Sequence, residues 1–189
     1  MSHKSYLIRC VFILAFGSIA SLLTGQDRII FTASFSDKLD KFNLDYYEPV
    51  EGWLHPIPQQ NDEYGKFDLI LSSSKEDVDI MYLFKEANEP DAITNHPHLD
   101  LLQEVAHLAT NRQSESIIIS EISQGIVDTV FYADWGLYAD FIPKRSLSNK
   151  RQCRMLAIQK EQAAMIYSIL CYDEEVPAYF DLPISFRNE

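Results

Sequence analysis

Two apolar runs separated by a three-residue polar gap constrain this chain more than any other feature. Residues 152–159 (QCRMLAIQ) and 163–172 (AAMIYSILCY) are each long enough for a strand, and Lys160, Glu161 and Gln162 lie between them. That pattern predicts a β-hairpin. With the hairpin hinged at Gln162, Cys153 stands opposite Cys171, Met155 opposite Ile169, and Ala157 opposite Tyr167. Directly opposed cysteines on antiparallel strands lie within disulfide reach. Two reduced thiols or a shifted register are the alternatives.

The rest of the chain builds on this hairpin. Residues 28–35 (RIIFTASF) read as an opening strand, and residues 39–47 alternate imperfectly around Leu39, Phe42, Leu44 and Tyr46. Residues 48–65 hold three prolines among polar residues and read as a long irregular loop. Residues 67–71 and 78–84 form a second hairpin pattern. Leu101, Leu102, Val105, Leu108 and Ala109 recur at helical spacing over residues 97–110, with Thr94 or Asn95 as cap and Pro97 in the first turn. Residues 116–122 (SIIISEI) read as a buried strand and 137–142 as a strand; 124–134 read as a helix by spacing, with a strand, favoured by its valines and aromatics, as the alternative. A short helix near residues 176–181 is expected in the last stretch. Strands, then a helix, then more strands predict an α+β domain with a mainly antiparallel twisted sheet flanked by helices.

The amino terminus predicts export. Lys4 and Arg9 precede or border an uncharged apolar run, residues 10–23, and small and polar residues follow at Thr24, Gly25 and Gln26. A basic end, a short apolar core and a small-residue cleavage zone define a secretory signal. A membrane-spanning helix needs about 20 apolar residues, more than this run supplies. Residues 1–25 are therefore expected to be removed, leaving residues 26–189 as one domain in a periplasmic or extracellular setting. Cleavage removes two positive charges and no acid, taking the net charge from −12 to −14. So acidic a domain is repelled by nucleic-acid phosphates and anionic membrane surfaces. No second apolar run reaches spanning length, so no stable membrane insertion is expected after cleavage. Of three cysteines, Cys153 and Cys171 remain after cleavage, and an oxidising compartment favours their pairing.

Four short strings carry a resemblance: Glu51-Gly52-Trp53, Leu108-Ala109-Thr110-Asn111, Ala133-Asp134-Trp135-Gly136, and Pro143-Lys144 followed by Cys153. Together they resemble a family of uncharacterised exported bacterial proteins, over most of the chain beyond its leader. The element order is also similar to the PsbP/Mog1-type sandwich. That likeness rests on topology and carries no catalytic residue onto this chain. Members of that fold include photosystem accessory proteins and small-GTPase-binding proteins. The resemblance thus implies a binding or accessory role.

Candidate sites follow from chemistry. His96, His98 and Asp100 cluster at a helix start and could ligate a divalent cation, against the plainer reading of a solvated helix start. His107 lies on the opposite helix face and cannot join them. Trp53 and His55 sit in the long loop, where aromatic rings stack on sugars or pin the loop to the domain. Asp134 could act as a general acid or base in a cleft. The alternative has Gly136 supplying an unusual backbone angle, Trp135 packing, and Asp134 bonding local amides. Lys144 and Arg145 head a basic cluster that includes Lys150, Arg151 and Arg154, suited to an anionic ligand or acidic partner. The acidic runs at residues 76–79 and 173–175 lack calcium-loop spacing. No G-x-S-x-G, H-E-x-x-H or phosphate-binding loop occurs, and no motif requires a cofactor. The leading expectation is a non-enzymatic binding or accessory domain of the cell envelope, with a protein or small ligand as partner. An envelope hydrolase or metal-dependent enzyme, and a carbohydrate-binding module, are the alternatives.

Overall fold

The structure, a computed structural model, describes residues 33–47, 55–56, 67–73, 77–87, 96–110, 116–174 and 184–188. In chain order the elements are α1 (Ala33–Lys41), β1 (Leu44–Tyr46), β2 (His55–Pro56), β3 (Leu69–Ser73), β4 (Val78–Glu86) and α2 (Pro97–Leu108). They continue with β5 (Ile118–Glu121), α3 (Gln124–Thr129), β6 (Trp135–Phe141), β7 (Gln152–Lys160), β8 (Ala164–Tyr172) and β9 (Ile184–Phe186). This is the α+β class that the strand–helix–strand order predicts. The expected signal segment and the helix near residues 176–181 lie outside the described residues.

The β7–β8 hairpin is the centre of the sheet. Its register sets Cys153 against Cys171, Met155 against Ile169 and Ala157 against Tyr167, as the hinge at Gln162 requires. Gln162 takes a left-handed backbone conformation at that turn, with φ 59°. Strand order in the main sheet is β2-β3-β4-β8-β7-β6-β5, and every neighbouring pair is antiparallel. Six strands are substantial; the two-residue β2 extends one edge. The β3–β4 hairpin falls where the second apolar pair predicts it. Cys153 and Cys171 form a disulfide, and both are buried.

Both faces of this sheet are covered, which explains its composition. Strands buried on two sides read as near-continuous apolar runs rather than alternating ones, and every residue of β8 is buried. On one face Met81, Leu83, Ala139, Met155 and Ile169 pack with Leu101, Val105 and Leu108 of α2. On the other face Ile80, Tyr82, Phe84, Ile158 and Ile166 pack with Phe35 of α1, Leu44, Ile184 and Phe186 of the β1–β9 ribbon, and Val127 of α3. Phe35 anchors this layer, stacking on Phe84 at 5.3 Å between ring centroids.

Several details differ from expectation, among them a helix over Gln124–Thr129 that stops five residues short of 134, and His55–Pro56, inside the expected loop, pairing as β2. Residues 33–35, the described end of the expected opening strand, begin α1. Phe35, Leu39 and Phe42 are spaced i, i+4 and i+7, a helical stripe that imperfect alternation disguised. The α2 cap is His96, which makes no side-chain capping bond, in place of Thr94 or Asn95. The strand read as buried, residues 116–122, is β5, and all four of its residues are exposed. Gly136 shows no left-handed backbone; that conformation falls on Tyr132, with φ 49°. Gly136 instead permits close packing, since a Cβ there would meet Val127 Cγ2 at 3.3 Å and Ile158 Cγ2 at 3.4 Å.

Candidate functional site

The α2 helix organises the chemistry of the molecule. At 3.6 residues per turn its side chains sort into flanks. Leu101, Val105 and Leu108 point to the sheet and are buried. Asp100 and Glu104 lie to one side of that stripe, and His98 and Leu102 to the other. The helix is held along β6 at both ends. Trp135 Nε1 donates to His98 Nε2 at 3.2 Å, and Lys144 N donates to Leu108 O at 2.9 Å.

The acidic flank meets β4 and β8. Asp100 is fully buried and Glu104 nearly so. Lys85 of β4 pairs with Asp100 Oδ1 and, at 2.8 Å, with Glu104 Oε1. The Lys85 ammonium also lies 5.4 Å from the centre of the Tyr167 ring, within cation–π range. Asp100 Oδ2 and the Tyr167 hydroxyl are both buried and make no hydrogen bond of normal geometry. Burial, and then the nearby Asp100 and Glu104 carboxylates, hold the Tyr167 phenol far above its ordinary range. It stays neutral wherever the fold survives. One cation is thus shared by two buried acids, and that ion cluster ties α2 to the sheet.

Each sequence-predicted site residue can now be placed, except Trp53, which lies outside the described residues. His55 stands in β2 opposite Ser72 in backbone register; its side chain is outside the description. His96, His98 and Asp100 do not converge. Asp100 turns inward to Lys85, whereas His98 is exposed and lies edge-on to Trp135 at 5.1 Å between ring centroids. Among the described residues, no three His, Cys, Asp or Glu side chains form a metal-ligating group. Asp134 Oδ2 accepts the Glu161 amide at 2.7 Å, so its carboxylate fastens the turn between β7 and β8. Trp135 packs partly buried on the α2 face.

The basic cluster is divided among structural tasks. Lys144 Nζ donates to His107 O at 2.6 Å, close to the carboxyl end of α2, where a cation complements the helix dipole. Lys150 pairs with Asp77, and Arg154 Nε with Asp140 Oδ1 at 2.8 Å. The Arg151 amide donates to Asp173 Oδ1 at 2.9 Å. Arg145 is exposed. These contacts seat the loop before β7 rather than gathering into one anion pocket.

Sequence reasoning missed the opposite flank of α2 and the strand edge beside it. Beta5 ends the sheet, and among the described residues it has one strand neighbour, β6. Ile117, Ile118 and Ile119 are all exposed, Ile118 by 58%. Ile119 pairs with Ala139, whose side of the sheet packs α2, so Ile117 and Ile119 face that helix. Leu102 follows His98 by four residues on the flank turned to β6 and is exposed; Leu99 is exposed on the side of α2 turned away from the sheet. Beside the strand's outer backbone edge, Ile119 is exposed on the α2 side of the sheet and Ile118, opposite Asp140, on the other side. The signal in the sequence was the isoleucine run, which fixes a strand but not its place in the sheet. Among the described residues no helix is long and apolar enough to cross a membrane. No family model matches the chain, and no curated protein matches it.

Proposed function

We propose that this chain is an exported, non-enzymatic accessory domain of the cell envelope that binds a protein partner through the β5 edge. The carrying observation is that edge. Soluble proteins blunt an open strand edge with lysine, proline, a bulge or a covering element. Beta5 has no lysine and no proline, its one charge is Glu121, and its isoleucines stand in solvent. An edge strand without these devices, with isoleucines exposed on both its faces, favours an interaction site there. The polar groups elsewhere support the same reading. Asp100, Asp134, Lys144, Lys150 and Arg154 are engaged in holding the fold. The antiparallel sheet with helices on both faces is the coarse architecture that the PsbP/Mog1 likeness implies, and that likeness favours an accessory role. Export itself rests on the basic, apolar and small-residue pattern of residues 1–26.

The test is a photo-cross-linking residue placed at position 118 in the native cell. A discrete adduct is expected from position 118 and none from position 47, an exposed tyrosine just after β1. No adduct from position 118, or the same adducts from both, would count against the proposal.

A further inference from the structure

We propose that Lys85 and Asp100 are the two ends of an intramolecular amide cross-link, formed by the folded chain itself with Glu104 as the proton carrier. Three observations carry this, and none involves the β5 edge. The Lys85 ammonium contacts Asp100 Oδ1, an oxygen bonded directly to the Cγ carbon that an amine would attack. Glu104 Oε1 lies 2.8 Å from the same nitrogen, so a second acid is within hydrogen-bond reach of the nucleophile. Asp100 Oδ2 and the Tyr167 hydroxyl are both buried without a hydrogen bond of normal geometry. Lys150 also meets two acids, Asp77 and Asp173, but these are 67% and 34% exposed, so water competes for both. Asp100 and Glu104 are buried, which shields an amide there from water once it has formed.

The step is a condensation and needs no other reactant. One proton passes from the ammonium to Asp100 Oδ1, which frees the amine lone pair. Nζ then bonds to Cγ, and the carbonyl electron pair moves onto Oδ2. The Tyr167 hydroxyl is placed to donate to that oxyanion. Burial, and then Asp100, hold its phenol far above the ordinary range, so it keeps the proton it donates. Glu104 takes a second proton from Nζ and delivers it to Oδ1. The Cγ–Oδ1 bond breaks, water leaves, and Glu104 ends as it began. Beta4 and α2 hold amine and acid together, and well-aligned groups of this kind reach effective concentrations of about 10⁵–10⁸ M. An ammonium is not a nucleophile, so the reaction waits on the first proton transfer. The newly folded chain therefore holds the ion cluster, and the amide accumulates with age. The product ties α2 to β4 by a covalent bond across residues 85–100.

The experiment follows the intact mass of the reduced protein, from prompt purification through storage at the host's growth temperature, and then maps its tryptic peptides. The expected product is lighter by one water. An amide at Lys85 blocks tryptic cleavage there, so residues 76–112 should stay in one peptide. Backbone fragmentation between residues 85 and 100 should release no separate pieces, because the ring holds them together. A cyclised aspartate also loses water, but it leaves Lys85 cleavable. Lys85→Arg keeps a cation and should never lose the water; circular dichroism checks that it folds. Glu104→Gln should slow the loss at least about a hundredfold, the lower end for a positioned proton carrier. A wild type that keeps its full mass on storage, a water lost with Lys85 still cleavable, or a bond from Lys85 to Glu104 in place of Asp100 overturns the inference. So does a Glu104→Gln protein that reacts as fast as the wild type.

Discussion

Replacing Lys85 with methionine tests whether α2 is docked by its ion cluster or by its leucines alone. The substitution keeps most of the side chain's length and apolar stem. It removes the ammonium shared by Asp100 and Glu104, whose side chains are 0% and 6% exposed. Stranding buried charge costs about 3–5 kcal/mol when the site is fully enclosed. Lys85 is 24% exposed, so water reaches part of the site and the lower end applies, about 3 kcal/mol. In a domain of this size that corresponds to a fall in Tm of roughly 6–12 °C. Urea unfolding at neutral pH, followed by circular dichroism, gives the free energy directly. One control sharpens it. Adding Asp100→Asn and Glu104→Gln to Lys85→Met should recover most of the loss, because no charge is left buried. A loss below about 1 kcal/mol, or an equal loss in the triple variant, would show that the ion cluster does not hold the helix.

Alkaline stability should fall above about pH 10, the ordinary tyrosine value. Burial raises the Tyr82 and Tyr167 phenols well above that value in the folded chain, so each binds its proton more tightly folded than unfolded. Stability from each is intact below pH 10 and is lost above it by about 1.4 kcal/mol per pH unit; tyrosinate absorbance should rise for these two only as the fold collapses. Removing the bridge with Cys153→Ala and Cys171→Ala closes no loop across 18 residues of separation and should cost about 3 kcal/mol in urea unfolding. Thiol titration of the unreduced, denatured protein should find no free thiol if the leader carrying Cys10 has been removed. Intact mass should place the first residue near Gln26, and a protein retaining residues 1–25 would refute export processing.

Local patterns carried most of the fold because hairpins are local. The hinge at Gln162 follows from which apolar residues must face the same side, and that is a matter of counting along the chain. The helix α2 was legible from Leu101, Val105 and Leu108 for the same reason. Misreadings arose where three-dimensional neighbours decide. Ile117, Ile118 and Ile119 define a strand by their branched side chains, but whether a strand is central or terminal depends on the order of distant segments. Phe35, Leu39 and Phe42 sit close enough to Leu44 and Tyr46 that helical and alternating periods overlap. The ion cluster was hidden differently. Asp100 and Glu104 are four residues apart and border the apolar stripe of α2, which marks them as acids at risk of burial. Their partners Lys85 and Tyr167 come from two other strands, and nothing local joins the four. His96 and His98 drew attention to the helix start, whereas only Asp100 of that group reaches the interior.

Residue-resolved amide hydrogen exchange on β5 tests the central claim most directly. With the partner bound, the outward-pointing backbone amides of Ile118–Glu121 should exchange slowly, and without it they should lose protection while those bonded to β6 and those of β7 and β8 keep theirs. Protection of β5 that is the same at all concentrations and in the presence of every binding partner recovered from the cell would contradict the account.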